Sequence, residues 1–237
     1  MPLLPAYITI LFFFTTLLTF IGCLWIIRLS ATPATRRKLY KIALGLWVWI
    51  TVQAILAMKG IYHAHPQAMP PKIVLLGIVP ALLVIVLLFA SRAGRQFLDG
   101  LPLQQITYLH TIRIPVEICL YALFLHKTVP QGMTFEGRNF DIIAGITAPV
   151  MAYLYFRRKQ FSPRVLLWWN LICLVSLFNI VINALLSTPS PMQRFAFDQP
   201  NIAVLYFPFS WLPVFIVPTV LLAHLVAIRQ LLKRPGS

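Results

Sequence analysis

The sequence predicts an all-α membrane protein, a single bundle of seven transmembrane helices, and three observations predict it. Its 237 residues are 59% hydrophobic and only 11% charged, with a mean hydropathy of +0.83, a balance that soluble domains do not show. The apolar residues fall into seven runs of roughly the 20 residues that a bilayer crossing needs. The connections between the runs alternate between strongly and weakly basic, as the positive-inside rule requires.

The first run, near residues 5–27, has no basic segment before it, and Arg28 follows it where a cleavage site would need small residues. It therefore reads as a helix and not as a signal peptide. Further runs follow near 42–58, 73–91, 103–126, 141–156, 165–187 and 203–228. The run at 141–156 is the shortest, and reaches a spanning length only by continuing toward Arg157, Arg158 and Lys159. In the last run Pro208, Pro213 and Pro218 are expected to bend the helix and free backbone acceptors. No linker or low-complexity tract divides the chain, so one transmembrane domain spans residues 1–237.

With the N-terminus outside and the C-terminus in the cytoplasm, 14 of the 20 Lys and Arg residues lie in cytoplasmic segments, among them Arg36, Arg37 and Lys38. The formal charge of +15 is thus a topology signal and an anchor for anionic lipid headgroups, and it excludes nucleic acid as the expected partner. The expected location is the cell inner membrane. Ile78-Val79-Pro80 in the third run and Ile216-Val217-Pro218 in the seventh are alike, and both precede a basic cluster. That likeness admits a 3+1+3 plan of two parallel repeats around the fourth helix.

The fourth run carries His110-Thr111-Ile112-Arg113-Ile114-Pro115-Val116-Glu117. At about 1.5 Å per residue, Arg113 lies roughly 15 Å deep, near the middle of a hydrocarbon core about 30 Å thick. Glu117 is one turn farther out on the same face, so the two are expected to face the interior and pair with each other. They read either as a binding or proton-coupling site or as a pair that fixes helix rotation. Gln53, Asn179 and Asn183 are candidate partners at similar depth; as interhelical hydrogen-bond glue they would have no direct role. His110 and His224 lie at comparable depths and meet across two helices in this reading, as a proton site or as satisfied core histidines. With no third ligand nearby, no metal is assigned, and no other cofactor is expected.

The outer connection Thr134-Phe135-Glu136-Gly137-Arg138-Asn139-Phe140-Asp141 holds charges and aromatics beside a helix start. Glu136, Arg138, Asn139 and Asp141 either line an outward-facing vestibule or form a capped turn, with Asn139 or Asp141 at the cap. The cysteines Cys23, Cys119 and Cys173 show no ligand spacing and read as small apolar residues.

The stretches Arg113-Ile114-Pro115-Val116-Glu117 and Phe135 to Ile142 resemble those of uncharacterised bacterial seven-helix membrane proteins. That resemblance implies a seven-span fold and no activity. The topology is also similar to that of microbial rhodopsins and seven-helix receptors. Retinal is excluded, because Lys233 lies past the end of the last run where a Schiff-base lysine would have to be deep within it. The expected function is non-enzymatic: binding or transport of a small polar solute or ion through a polar intramembrane cavity. A sensor or interaction protein with a basic cytoplasmic face is the alternative. An intramembrane hydrolase or lipid-modifying enzyme ranks last, for want of a nucleophile motif.

Overall fold

Apolar sequence in lipid must satisfy its own backbone, and helices do so within one segment. The computed structural model describes residues 4–233, and these form helices and connections with no strand among them. In chain order the helices are α1 (Ala6–Arg28), α2 (Pro33–Arg37), α3 (Leu39–Met58), α4 (Val79–Ala90), α5 (Arg92–Asp99), α6 (Leu103–Leu109), α7 (Arg113–Leu125), α8 (Asp141–Ala152), α9 (Pro163–Ser187) and α10 (Val217–Leu232). A 3₁₀ turn, His110–Ile112, joins α6 to α7. Three π-turns extend other helices: Val74–Ile78 before α4, Tyr153–Arg157 after α8 and Leu212–Ile216 before α10.

Five of the resulting helices are long and apolar enough to cross a membrane: Ala6–Arg28, Leu39–Met58, Leu103–Leu125, Pro163–Ser187 and Leu212–Leu232. Val74–Ala90 becomes a sixth when taken with α5, from which it is bent by 91°. The run at 141–156 is the exception, because α8 has 12 residues and only its five-residue π-turn lengthens it. The helix expected over 203–228 begins at Leu212 instead. Residues 203–205 form an isolated 3₁₀ turn, and Pro208 stands outside the helix.

The bend after α4 has a local cause. Ser91 is extended, and its hydroxyl accepts from the Gly94 amide at 3.0 Å, capping α5. A Cβ at Gly94 would sit 2.2 Å from the Leu88 carbonyl oxygen, so the turn requires glycine. α5 then carries Arg92 and Arg95 outward, while Asp99 pairs with Arg229 at 2.9 Å and with Lys233 at 2.5 Å.

The prolines repeat one device. Pro80 and Pro218 have no amide to offer the carbonyls four residues earlier, those of Leu76 and Val214. Side chains of α3 donate to both: Gln53 Nε2 to Leu76 at 3.1 Å and Trp49 Nε1 to Val214 at 3.0 Å. Both prolines follow a π-turn, and the two turns meet so closely that a Cβ on Gly77 would lie 2.4 Å from Val214 Cγ1. Half of the Leu103–Leu125 segment is buried inside the protein, 50% against 11% for Leu39–Met58. The α6–α7 span is therefore central, packed on α1, α8 and α10, and α3 is peripheral.

The connections gather at two ends. At one end Gln199 donates to the carbonyls of Phe124 and Val129, and His63 stacks on Tyr206. At the other, Ser30 donates to the Gly100 carbonyl at 2.7 Å, and Gln230 donates to the carbonyls of Leu98 and Leu101.

Candidate functional site

Polar groups inside the bundle collect where α6–α7, α8, α9 and α10 meet. Arg113, 3% exposed, starts α7 and is carried into the interior by the 3₁₀ turn before it. Its Nη2 is 3.1 Å from His224 Nε2 on α10, and the other ring nitrogen of His224 is 2.9 Å from Asn170 Oδ1 on α9. Asn170 Nδ2 in turn donates to the Leu166 carbonyl, which fixes the amide with its oxygen toward His224. The Asn170 oxygen accepts, so His224 Nδ1 is protonated and Nε2 is left to accept from Arg113. His224 is thereby set as the neutral tautomer, a buried ring that holds an arginine without adding charge.

The ion-pair partner of Arg113 is Asp141, at 3.6 Å between Nη1 and Oδ1. Asp141 Oδ1 also accepts from Ser176 of α9 at 2.7 Å. The expected Arg113 to Glu117 pair does not form. Glu117 instead accepts from Asn139 Nδ2 at 2.6 Å, and Asn139 Nδ2 also donates to the Met133 carbonyl. The physical reason is the start of α8. Phe140 stands at the N-cap with no side-chain cap, so neither Asn139 nor Asp141 takes that place; Asn139 Oδ1 instead accepts from the Asp141 amide at 3.0 Å in a turn just ahead of the helix, which turns Asn139 and Asp141 inward between Arg113 and Glu117. Close approach of α8 to α7 depends on Gly145, where a Cβ would lie 2.9 Å from Ile114 Cγ1 and 3.2 Å from Arg113 Cβ.

His110 and His224 do meet, stacked with ring centroids 3.9 Å apart, and Trp169 meets His110 edge-on at 5.5 Å. Trp169 is itself held by a hydrogen bond to Thr147 Oγ1 on α8. His110 is fully buried, yet neither of its nitrogens has a hydrogen-bond partner. Among the described residues, no group of three or more His, Cys, Asp or Glu is placed to hold a metal ion.

The four expected vestibule residues divide. Asn139 and Asp141 join the buried cluster, while Glu136 and Arg138 remain exposed. Arg138 lines a surface cavity of about 410 Å³ with Asn183, Asp198 and Gln199. Asn179 and Asn183 belong to that end of the bundle and not to the cluster: Asn179 donates to the Arg138 carbonyl, and Asn183 to the Asn179 carbonyl, each at 2.8 Å. Gln53 is also separate, since it serves the Leu76 carbonyl and accepts from the Tyr62 hydroxyl. Burial pushes the Tyr62 phenol, which lies in the connection after α3, up to about 12, so it stays a donor across the physiological range.

Asn170, Ser176, Thr147 and Trp169 complete the cluster and escaped the reading of the sequence. Asn170 had a detectable signal, an amide well inside an apolar run, which the cost of burying polar groups marks as paired. Ser176 and Thr147 had none, because hydroxyls in membrane helices ordinarily bond their own backbone.

A second feature adjoins the cluster. α4 and α9 each pack against α10, and between them runs a groove of about 170 Å³ floored by Val116 and Leu120 of α7 and by Leu212 and Pro213. Glu117, Asp141 and Asn201 also line it.

The sequence model of one family matches residues 70–232, and its description is Domain of unknown function (DUF8737). The matched stretch contains every residue of the buried cluster and every residue that lines the groove. No curated protein and no solved structure matches the chain.

Proposed function

The chain belongs to the family described as Domain of unknown function (DUF8737), and we propose that it is a seven-span inner-membrane protein that binds a small polar solute or ion at the Arg113 cluster and moves it across the bilayer. One observation carries this reading. Among the described residues, eight buried side-chain atoms have no hydrogen-bond partner, and five of them belong to His110, Arg113 and Glu117. An unsatisfied buried polar atom costs about 1–3 kcal/mol, so five in one place are a concentrated, unspent capacity to bind. Arg113 Nε and Nη1 have hydrogens to donate, Nη1 meeting Asp141 only as an ion pair at 3.6 Å, the free Glu117 oxygen accepts, and a neutral His110 offers one of each. Such a set suits a small polar solute or a chain of exchangeable protons.

Two features support the rest of the reading. Successive connections lie at opposite ends of the bundle, which fits seven crossings with the N-terminus outside. The shared π-turn and Val-Pro unit before α4 and α10 fits the 3+1+3 plan.

Purified protein in proteoliposomes, with a pH-sensitive dye inside and a panel of small polar solutes and ions outside, tests the proposal. Uptake or a solute-driven pH change is expected above that of empty vesicles, and it is expected to be abolished in Arg113→Met and in His110→Phe, which keeps the aromatic stack. A panel on which the wild-type protein matches empty vesicles sinks the idea.

A further inference from the structure

We propose that the groove between α4 and α9 is a second binding site, for a small lipophilic ammonium: a protonated primary amine on an apolar body about the size of a benzene ring. The groove goes beyond the polar cluster and shares only its Glu117 and Asp141 edge.

Size and lining fix the apolar part. An apolar cavity of about 150 Å³ takes up benzene while staying free of water, and this one measures about 170 Å³. Its walls are aliphatic for most of their extent, with Ile78 and Leu82 on the α4 side and Leu177 and Val181 on the α9 side. It opens between the helices, where Leu82 is 38% and Phe178 48% exposed, so a ligand dissolved in the bilayer enters without crossing water.

Charge fixes the head. Inside the bundle the described residues place one arginine against two carboxylates. Arg113 pairs with Asp141, which leaves Glu117 as the carboxylate without a counter-ion on the groove wall. Charge buried in a membrane seeks an opposite charge. The hydrogen-bond inventory agrees independently. Two residues that line the groove carry an unpartnered polar atom, Glu117 Oε2 and Asn201 Oδ1, and their exposures are 2% and 0%. The Asn201 oxygen accepts in any state, and Glu117 Oε2 accepts in the carboxylate form that an ammonium pairs with. The Asn201 orientation is set by Nδ2, which donates to the Ala184 carbonyl at 3.3 Å and to Thr188 Oγ1 at 3.2 Å; the free end is therefore oxygen. A head that meets only acceptors must donate, and an ammonium has three donors and no acceptor. An anion or an acceptor-only head would leave both atoms unpaired.

The test is equilibrium binding of 2-phenylethylamine to the detergent-purified full chain, with ethylbenzene as the neutral counterpart of the same shape. Saturable binding of the amine is expected, with ethylbenzene weaker by about tenfold or more, since a charge-assisted hydrogen bond is worth at least that factor. Glu117→Gln is expected to reduce amine affinity by a similar factor and to leave ethylbenzene unchanged. Val181→Trp fills the groove from its half-exposed flank, where the fold tolerates bulk, and is expected to abolish binding of both ligands. His110→Phe leaves the groove intact, so it is expected to bind the amine normally even though it fails the flux test of the polar cluster. Ethylbenzene binding as tightly as the amine would overturn the ammonium assignment. Amine binding undiminished in Val181→Trp would overturn the site. Displacement of the amine by phosphatidylethanolamine micelles but not by phosphatidylcholine micelles would transfer the groove to a lipid headgroup and overturn the small-amine occupant.

Discussion

At the scale of single residues, Asp141 decides how the bundle holds a charge in lipid. Its carboxylate faces Arg113 and accepts from Ser176, while its own amide donates to Asn139 Oδ1. Removing one member of a buried pair leaves the other uncompensated, at a cost of about 3–5 kcal/mol. Asp141→Asn is therefore expected to destabilise the protein by about that amount in SDS unfolding from bicelles. Replacing both members, Arg113→Met with Asp141→Leu, is expected to restore most of the stability, because a well-packed apolar pair replaces a buried ionic pair at little net cost. A single-variant loss below about 1 kcal/mol, the range of exposed pairs, would mean that Arg113 draws its compensation from elsewhere. That polar groups would gather around Arg113 was legible in the sequence, since charge buried in an apolar run needs partners. Its partner was not. Glu117 is closer in sequence and on the same helix face, but pairing depends on where the turn ahead of α8 projects Asn139 and Asp141, which is a property of the loop and not of the helix.

At the scale of elements, the prolines of α4 and α10 show how irregular backbone is kept inside a membrane. Each leaves a carbonyl without its usual donor, and Gln53 and Trp49, four apart on one face of α3, supply both. That spacing is one helical turn, so α3 reads as a strap across two π-turns. Gln53→Leu strands the Leu76 carbonyl and the Tyr62 hydroxyl together, and a loss of about 1–3 kcal/mol is expected. Pro80→Ala restores an amide four residues after Leu76, so in the Gln53→Leu background it is expected to recover part of that loss. In the wild type it gains less, because Gln53 already serves the carbonyl. A double-mutant cycle read by SDS unfolding measures this coupling, and strict additivity would show that the strap does not act on the carbonyl. The helices themselves were legible from apolar run length to within a few residues at most ends. The failure at the start of the last one is physical: Pro208 and the Tyr206 to Ser210 turn interrupt an apolar stretch whose hydropathy does not change. Gln53 was legible as a buried amide, but its service to a proline required knowing which helix faced it.

At the scale of the whole molecule, the crossing count rests on α8. With its π-turn it extends over seventeen residues, the low end of the range of about 17–25 for a spanning helix. In the seven-span reading its environment compensates for that length. Ala144, Gly145, Ala148 and Ala152 on α8 are all buried, and the helix packs on α6, α7 and α9, so neighbouring helices shield much of it from lipid. A short helix inside a bundle meets the membrane thickness through its neighbours, and small residues let it do so closely. If α8 crosses, the connections before and after it lie on opposite sides, and α9 returns the chain to the first side. Single cysteines replacing Glu136, Lys159 and Gln193, placed in a background lacking Cys23, Cys119 and Cys173, test this with a membrane-impermeant maleimide applied to intact cells and to opened membranes. Glu136→Cys and Gln193→Cys are expected to react in intact cells, and Lys159→Cys only after the membrane is opened. Labelling of Glu136→Cys and Lys159→Cys from the same side, with Gln193→Cys on the other, would make α8 a re-entrant helix. The bundle would then have six crossings.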